Sequence, residues 1–407
     1  MEELWKRIPV GLDRIFEFHT AGMLPPNRVI FGFKASERLA AEAVKLARGR
    51  LLLVSDRVLA KLGTVARMRG ILEAEGYAVR EFTEVEPEPH IETAEALHEL
   101  AMAEKFDIAV GLGGGSVMDV TKLIAQTAVT GSSPRDYMMR KVFAERRGLP
   151  MILLPTTSGT GSEVSMNIVL ALGKEKRFVS SQYYYPDIAI VDPMLTVSMP
   201  PGLTATTGID ALSHAIDGMM HLNASPVSDT LCLGGIELAG SYLRRAVADG
   251  EDLEARYHMS VAATLCMMGM ILTGALYSHS VSNVLSRYKP APHGLGCGLG
   301  LPYSMAYNMP VIEKKLAKIS TALGENTWML SRRDAAEQAV NAVMRLTRDV
   351  GLPVTLQELG GINESDVEEM ADIMIKEYHR PLNVRPMGRE ESVKLWKNLW
   401  AGTPMGY

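Results

Sequence analysis

The sequence predicts two domains: an α/β N-terminal domain on a parallel sheet, residues 1–200, then an all-α C-terminal domain, residues 201–407. Three observations lead there. Between Arg28 and Pro193, short β-branched and leucine-rich runs alternate with helical stretches, the pattern of a parallel sheet covered by helices. After Pro200-Pro201 such runs vanish, and Leu-, Ala- and Met-rich stretches with apolar spacings of three and four residues replace them. At 407 residues the chain also exceeds the size of one hydrophobic core, so two domains sharing a cleft are the default expectation.

Strands are expected at 29–33, 51–55, 79–82, 108–112, 151–155, 168–172 and 188–191. In such a sheet ligands lie beyond the carboxyl ends of the strands, and glycine, threonine or aspartate follows several of these runs. Helices are expected at 206–220, 226–246, 253–272, 332–350, 364–376 and 389–399. The methionines at 267–270 read as core filling, because methionine packs irregular gaps.

Hydrophobic residues make up 47% and charged residues 22%, the balance of a globular protein. A net charge of −5 supplies no broad cationic surface, so neither nucleic acid nor an anionic membrane is expected as partner. Cys232, Cys266 and Cys297 are odd in number and far apart, which fits reduced thiols of a cytoplasmic protein. Glu2, Glu3, Arg7 and Asp13 break the apolar start, so neither a signal peptide nor a membrane anchor is expected. The greasiest stretch, 267–276, is too short to span a bilayer.

Chemistry is concentrated in a few segments. Gly111-Leu112-Gly113-Gly114-Gly115-Ser116 lies between a strand and a helix, where bare N–H groups and a helix N-terminus suit a pyrophosphate. It matches neither the G-x-G-x-x-G nor the Walker pattern, and a glycine turn with Ser116 and Asp119 as capping box is the competing reading. The loop Pro155-Thr156-Thr157-Ser158-Gly159-Thr160 offers hydroxyls to ribose and phosphate, or caps a turn. Asp56, after the run 51–55, could accept from ribose hydroxyls and would repel a 2′-phosphate, favouring NAD over NADP. Asp210 and His214 are four apart, on one helix face, and suit a divalent ion such as Fe²⁺ or Zn²⁺, while the bare spacing fits a surface pair or capping contact equally. Their apolar surroundings make an unpaired carboxylate costly. His279 and His293, in the same half of the chain, complete four ligands.

The ordered segments GGGSVMDVTK, PTTSGTGSEVS, VDPMLTVSMPP, GIDALSHAID and PHGLGCGLGLP resemble the iron-containing, group III alcohol dehydrogenases, over nearly the whole chain. The resemblance implies a dinucleotide-binding α/β domain, an all-helical metal-binding domain of the dehydroquinate synthase-like type, and hydride transfer between a nicotinamide and a small alcohol or aldehyde. By motif position Asp210, His214, His279 and His293 would hold the metal, Fe²⁺ first and Zn²⁺ as alternative. Gly113, Gly114, Gly115 and Ser116 would hold the pyrophosphate with Asp119 beside the cofactor. Thr156, Thr157 and Thr160 would line the nucleotide, Asp56 would read the ribose, and Lys176 or Arg177 would approach the nicotinamide. Many relatives carry a further histidine four residues after the third ligand, where this chain has Asn283. Tyr277, Asn283, Tyr288 and Cys297 are candidates for the pocket wall. A homodimer or larger assembly is the family expectation. Two other readings stay open: a dehydroquinate synthase-like lyase using NAD and a metal, and an inactive assembly protein on the same fold.

Overall fold

Leucine, isoleucine and valine runs become strands wherever both faces of the run are buried, as parallel sheets require. The computed structural model describes residues 12, 15–19, 28–173 and 175–405, so the expectation resting on Glu2, Glu3, Arg7 and Asp13 lies outside the described residues. The chain divides into two units. The first runs to Thr157 and resumes over Gly161–Val197; the second comprises Ser158–Thr160 and Ser198 onward.

In chain order, with helices of eight or more residues numbered, the first unit contains β1 (Phe16–His19), β2 (Arg28–Phe31), α1 (Leu39–Leu46), β3 (Arg50–Val54), α2 (Thr64–Ala74), β4 (Ala78–Phe82), α3 (Ile91–Glu104), β5 (Ile108–Gly113), α4 (Gly115–Thr130), β6 (Met151–Pro155), β7 (Asn167–Leu172), β8 (Glu175–Ser180) and β9 (Ile188–Val191). Seven strands form one sheet in the order β1-β2-β9-β6-β5-β3-β4, with only β1 antiparallel to its neighbour. Period-two alternation sends Leu51 and Leu53 into one apolar cluster with α1 and α2, and Leu52 and Val54 into another with α3 and α4. Both faces are therefore covered. From β3 the chain moves outward to the edge strand β4, then returns to β5 on the other side, so the winding reverses between β3 and β5. A ligand crevice opens at such a reversal, and here Ser55 Oγ donates to Leu112 O at 2.7 Å across the two strand ends.

The run at 168–172 is a strand but not a member of this sheet. It pairs antiparallel with β8 in a separate hairpin, with Leu170 opposite Arg177, turning at Gly173, whose φ is 62°. Apolar alternation specifies a strand and leaves its partner open.

The second unit contains α5 (Pro201–Met219), α6 (Pro226–Ala248), α7 (Leu253–Ile271), α8 (Tyr277–Tyr288), α9 (His293–Ala322), α10 (Arg332–Asp349), α11 (Val367–Glu377) and α12 (Arg389–Ala401). Starts follow capping chemistry: Pro201 opens α5, and the side chains of Ser225, Asp252 and Ser331 accept first-turn N–H bonds of α6, α7 and α10. One apolar cluster joins α5, α6, α7, α9 and α10; another joins α8, α9, α11 and α12. α9 belongs to both. Among the described residues no helix is long and apolar enough to cross a membrane.

Candidate metal centre

Asp210, His214 and Asp217 recur at four and then three residues on α5, which puts all three on one stripe of the helix. Every residue from Gly208 to Met219 is buried. Asp210 Oδ1 nevertheless has no hydrogen-bond partner, and an unpartnered buried carboxylate is costly unless something cationic joins it. His214 Nε2 lies 3.7 Å from that oxygen.

The other two histidines are oriented from behind. Asp217 Oδ2 accepts from Leu276 N at 2.8 Å, Ser278 Oγ at 2.6 Å and His279 Nδ1 at 2.8 Å. With Nδ1 donating, Nε2 is the His279 nitrogen left for the cluster, buried and unpartnered. Ser282 Oγ donates to His293 O at 2.8 Å and accepts from His293 Nδ1 at 2.9 Å. That leaves His293 Nε2 3.5 Å from Cys297 Sγ and 4.0 Å from Asp210 Oδ1.

Two glycine rows allow α9 to deliver His293 and Cys297 here. A Cβ on Gly294 would stand 2.1 Å from Thr206 O and 2.8 Å from Asp210 Cβ, and one on Gly298 2.4 Å from Ile209 Cγ2, so this row lies against α5. Gly296 and Gly300 meet α8 instead, where a Cβ would stand 2.7 Å from Ser282 Cα and 2.8 Å from Val281 Cβ. Spacing of four within each row keeps each on one face of the helix.

Donor atoms of Asp210, His279, His293 and Cys297 all lie within 4.8 Å of one another, and the His214 ring stacks on that of His279 with centroids 5.0 Å apart. Burial lowers the His214 pKa to about 4, which keeps the ring neutral and its lone pair available at pH 7. Burial also resists ionisation of Asp210, but the imidazoles of His214, His293 and His279 outweigh it and hold the carboxyl below its ordinary value. The Cys297 thiol is pushed up by burial, with His279 pulling the other way. One carboxylate, several imidazoles and a thiol suit a borderline divalent ion, and the orphaned Asp210 Oδ1 and His279 Nε2 are the atoms it would satisfy.

The structure thus brings Asp210, His279 and His293 together, keeps His214 within 3.7 Å of the Asp210 carboxylate, and adds Cys297, which the sequence placed in the pocket wall. Asp217 was missed, although its place seven residues after Asp210 is a legible signal. Tyr277 is fully buried in an apolar cluster and reads as core. Asn283 is half-buried one turn after His279, and Tyr288 is half-buried at the end of α8.

The dinucleotide residues divide differently. Gly113 ends β5, Gly114 precedes α4 without any side-chain cap, and Gly115 and Ser116 are half-exposed in its first turn. The capping-box reading of Ser116 and Asp119 is therefore corrected: Ser116 Oγ accepts from Glu88 N at 3.1 Å, while Asp119 is buried. Asp119 Oδ1 accepts from Ser162 Oγ at 2.6 Å and Oδ2 from Val169 N at 2.8 Å, with Lys122 Nζ at 3.5 Å. Both its oxygens are committed to anchoring neighbouring segments. Thr157 Oγ1 is buried without a partner near Gly114, whose Cβ would stand 3.4 Å from Thr157 Cγ2. Bare first-turn N–H groups and an orphaned hydroxyl fit an anionic nucleotide. Thr156 is buried in the same unit, whereas Thr160 groups with the second. Asp56 caps the short helix Arg57–Lys61, Oδ1 accepting from Val58 N and Leu59 N at 2.8 and 2.9 Å. Lys176 pairs with Glu88 at 2.9 Å and Arg177 with Glu175 at 2.7 Å.

The profile described as iron-containing alcohol dehydrogenase matches residues 26–193, and that of the Fe-containing alcohol dehydrogenase family, C-terminal, matches 204–400. Over 341 residues the chain is 41% identical to long-chain-alcohol dehydrogenase 1 of Geobacillus thermodenitrificans (strain NG80-2), covering 83% of this chain and 86% of that one. A crystal structure of 1,3-propanediol oxidoreductase superposes with a TM-score of 0.88 at 32% identity, covering 93% and 99%. Sulfoacetaldehyde reductase from Bifidobacterium kashiwanohense in complex with NAD+ gives a TM-score of 0.82 at 29% identity, covering 91% and 96%.

Proposed function

The chain belongs to the iron-containing alcohol dehydrogenases and is an oxidoreductase of CH–OH groups, and within that class we propose that it interconverts small alcohols and aldehydes using NAD, with Fe²⁺ held by Asp210, His214, His279 and His293. The observation that carries the reading is the convergence of buried donors with orphaned Asp210 Oδ1 and His279 Nε2. Cys297 stands beside this set, its proton retained by burial.

When bound, the ion supplies a positive charge that favours the deprotonated alcohol and polarises a carbonyl, and the nicotinamide supplies the hydride acceptor or donor. The protein contributes geometry. Asp217 and Ser282 engage Nδ1 of His279 and His293, so that Nε2 is the nitrogen each ring has for the ion. Gly114, Gly115 and Ser116 supply half-exposed N–H groups of the α4 start to the pyrophosphate. Asp56 contributes a fixed negative charge at the end of β3, where a 2′-phosphate would be repelled, which favours NAD over NADP. Asn283 has no titratable group, so it relays no proton.

A homodimer or larger assembly in the cytoplasm completes the reading, checked by light scattering and cell fractionation. The decisive experiment measures bound metal, removes it with chelator, and follows reduced nicotinamide by absorbance with short alcohols and aldehydes. Undiminished turnover in demonstrably metal-free protein overturns the proposed metal role. Absence of turnover in reconstituted enzyme favours the assembly reading.

A further inference from the structure

Arg380 is a half-buried cation in the loop after α11. Its Nε donates to Ser280 Oγ at 2.9 Å, and Ser280 Oγ in turn donates to Tyr378 O at 2.7 Å. Ser280 directly follows His279 on α8, so the guanidinium is pinned to the residue beside a proposed metal ligand. Its two terminal nitrogens make no hydrogen bond or ion pair among the described residues. Burial weighs against its charge and the carboxylate of Asp217, which orients His279, favours it. Asp217 is not its ion-pair partner, however, since Asp217 Oδ2 is taken by Leu276, Ser278 and His279 and Oδ1 carries no hydrogen bond.

A partly desolvated guanidinium without an anion is costly to keep. A planar fork with one nitrogen clamped and two uncommitted is the geometry that takes a carboxylate, sulfonate or phosphonate through paired N–H bonds. Ser280 Oγ does not need the cation, because it donates to Tyr378 O.

We propose that Arg380 is a specificity-determining residue that binds an oxyanion carried by the substrate, so that the preferred substrates are short alcohols or aldehydes bearing an acidic group. This rests on the alcohol dehydrogenase reading above and narrows its substrate class. The competing role is positioning: Arg380 could act through Asp217 on His279, and would then matter equally for every substrate.

The experiment compares a homologous series of short ω-oxo-carboxylates and ω-oxo-sulfonates with the matching neutral ω-oxo-amides, in the metal-loaded enzyme and in Arg380→Met and Arg380→Lys. The expected result is a kcat/KM ratio of anionic to neutral substrate of about 10- to 100-fold in the native enzyme. That ratio should collapse in Arg380→Met and survive in part in Arg380→Lys. The carboxylate and sulfonate arms show which acid is preferred. Calorimetric binding of propanoate and propanamide to the same three proteins reads the recognition without turnover. Propanoate binding that is lost in Arg380→Met supports the proposal even if none of the aldehydes is reduced, so failure of the dehydrogenase reading stays separable. A native ratio near one, or a parallel fall for anionic and neutral substrates in Arg380→Met, overturns it.

Discussion

Asp217→Asn isolates the charge of the carboxylate behind His279. Three donors converge on Oδ2, from Leu276 N, Ser278 Oγ and His279 Nδ1, while Oδ1 is buried without a partner. An asparagine fits with its oxygen at the three-donor position and its amide nitrogen where Oδ1 stands, so no donor loses its acceptor. What disappears is the negative charge that makes His279 Nε2 a stronger base. Removing such a partner costs about 10- to 100-fold in metal affinity, or about 1.4 to 2.7 kcal/mol. The measurement is a titration of metal-free protein with Fe²⁺ or Zn²⁺ against a competing chelator, with Tm recorded in parallel. Asp217→Ala is the wrong variant, because it strands three buried donors at about 1 to 3 kcal/mol each and confounds affinity with folding. Native-like metal affinity in a folded Asp217→Asn protein would refute the claim that this carboxylate tunes the site.

Gly294→Ala forces a Cβ to within 2.1 Å of the Thr206 carbonyl and should cost at least about 1 to 3 kcal/mol by thermal unfolding. Gly70→Ala, in the middle of α2 with nothing within 4 Å, should instead raise stability by about 0.5 to 1 kcal/mol. His214→Ala should lower bound metal measured by elemental analysis at limiting metal, whereas Cys297→Ser should retain it; the reverse outcome would make the thiolate the ligand. Burial opposes ionisation of Glu42, but Lys45, Arg28 and Arg38 outweigh it and keep its pKa below the ordinary 4.5. A depressed carboxyl stabilises above its unfolded pKa and loses that contribution as pH falls through the folded value. Glu42→Gln should therefore lower Tm at pH 7, by about 1 to 2 kcal/mol of stability after allowing for the partly exposed Arg38 and Lys45, and the difference should close below pH 4.5.

Buried parallel strands were the easiest part of the chain to read, because residues such as Leu51 to Val54 must be apolar on both faces and so announce themselves without any periodicity. The hairpin of β7 and β8 was harder, since its register depends on a turn at Gly173 and not on the character of either strand. Cofactor residues were legible as positions and less so as roles. Asp119 sits in the glycine segment, yet its carboxylate faces Ser162 and Val169, contacts that lie more than forty residues along the chain. Motif proximity in sequence says where a residue is anchored and leaves open which way its side chain turns.

The metal-site helices show the same limit from the opposite side. Asp210 and His214 could be paired from sequence because one helix carries both, whereas α8 and α9 have intrinsic preferences that argue against helix: α8 is rich in serine, and α9 opens with glycines at 294, 296, 298 and 300 and contains Pro302 and Pro310. What makes α9 helical is tertiary. Each glycine removes a side chain at a point of contact, so two neighbouring helices approach closely enough to pack both sides of it, and burial of Leu299, Leu301 and Tyr303 replaces the propensity that is missing. Glycines that weaken the helix as an isolated segment are thus the ones that let His293 reach Asp210 and Ser282. A larger side chain at Gly294 or Gly296 would strengthen the helix as a peptide and open the cluster, which is why local preference misreads this segment.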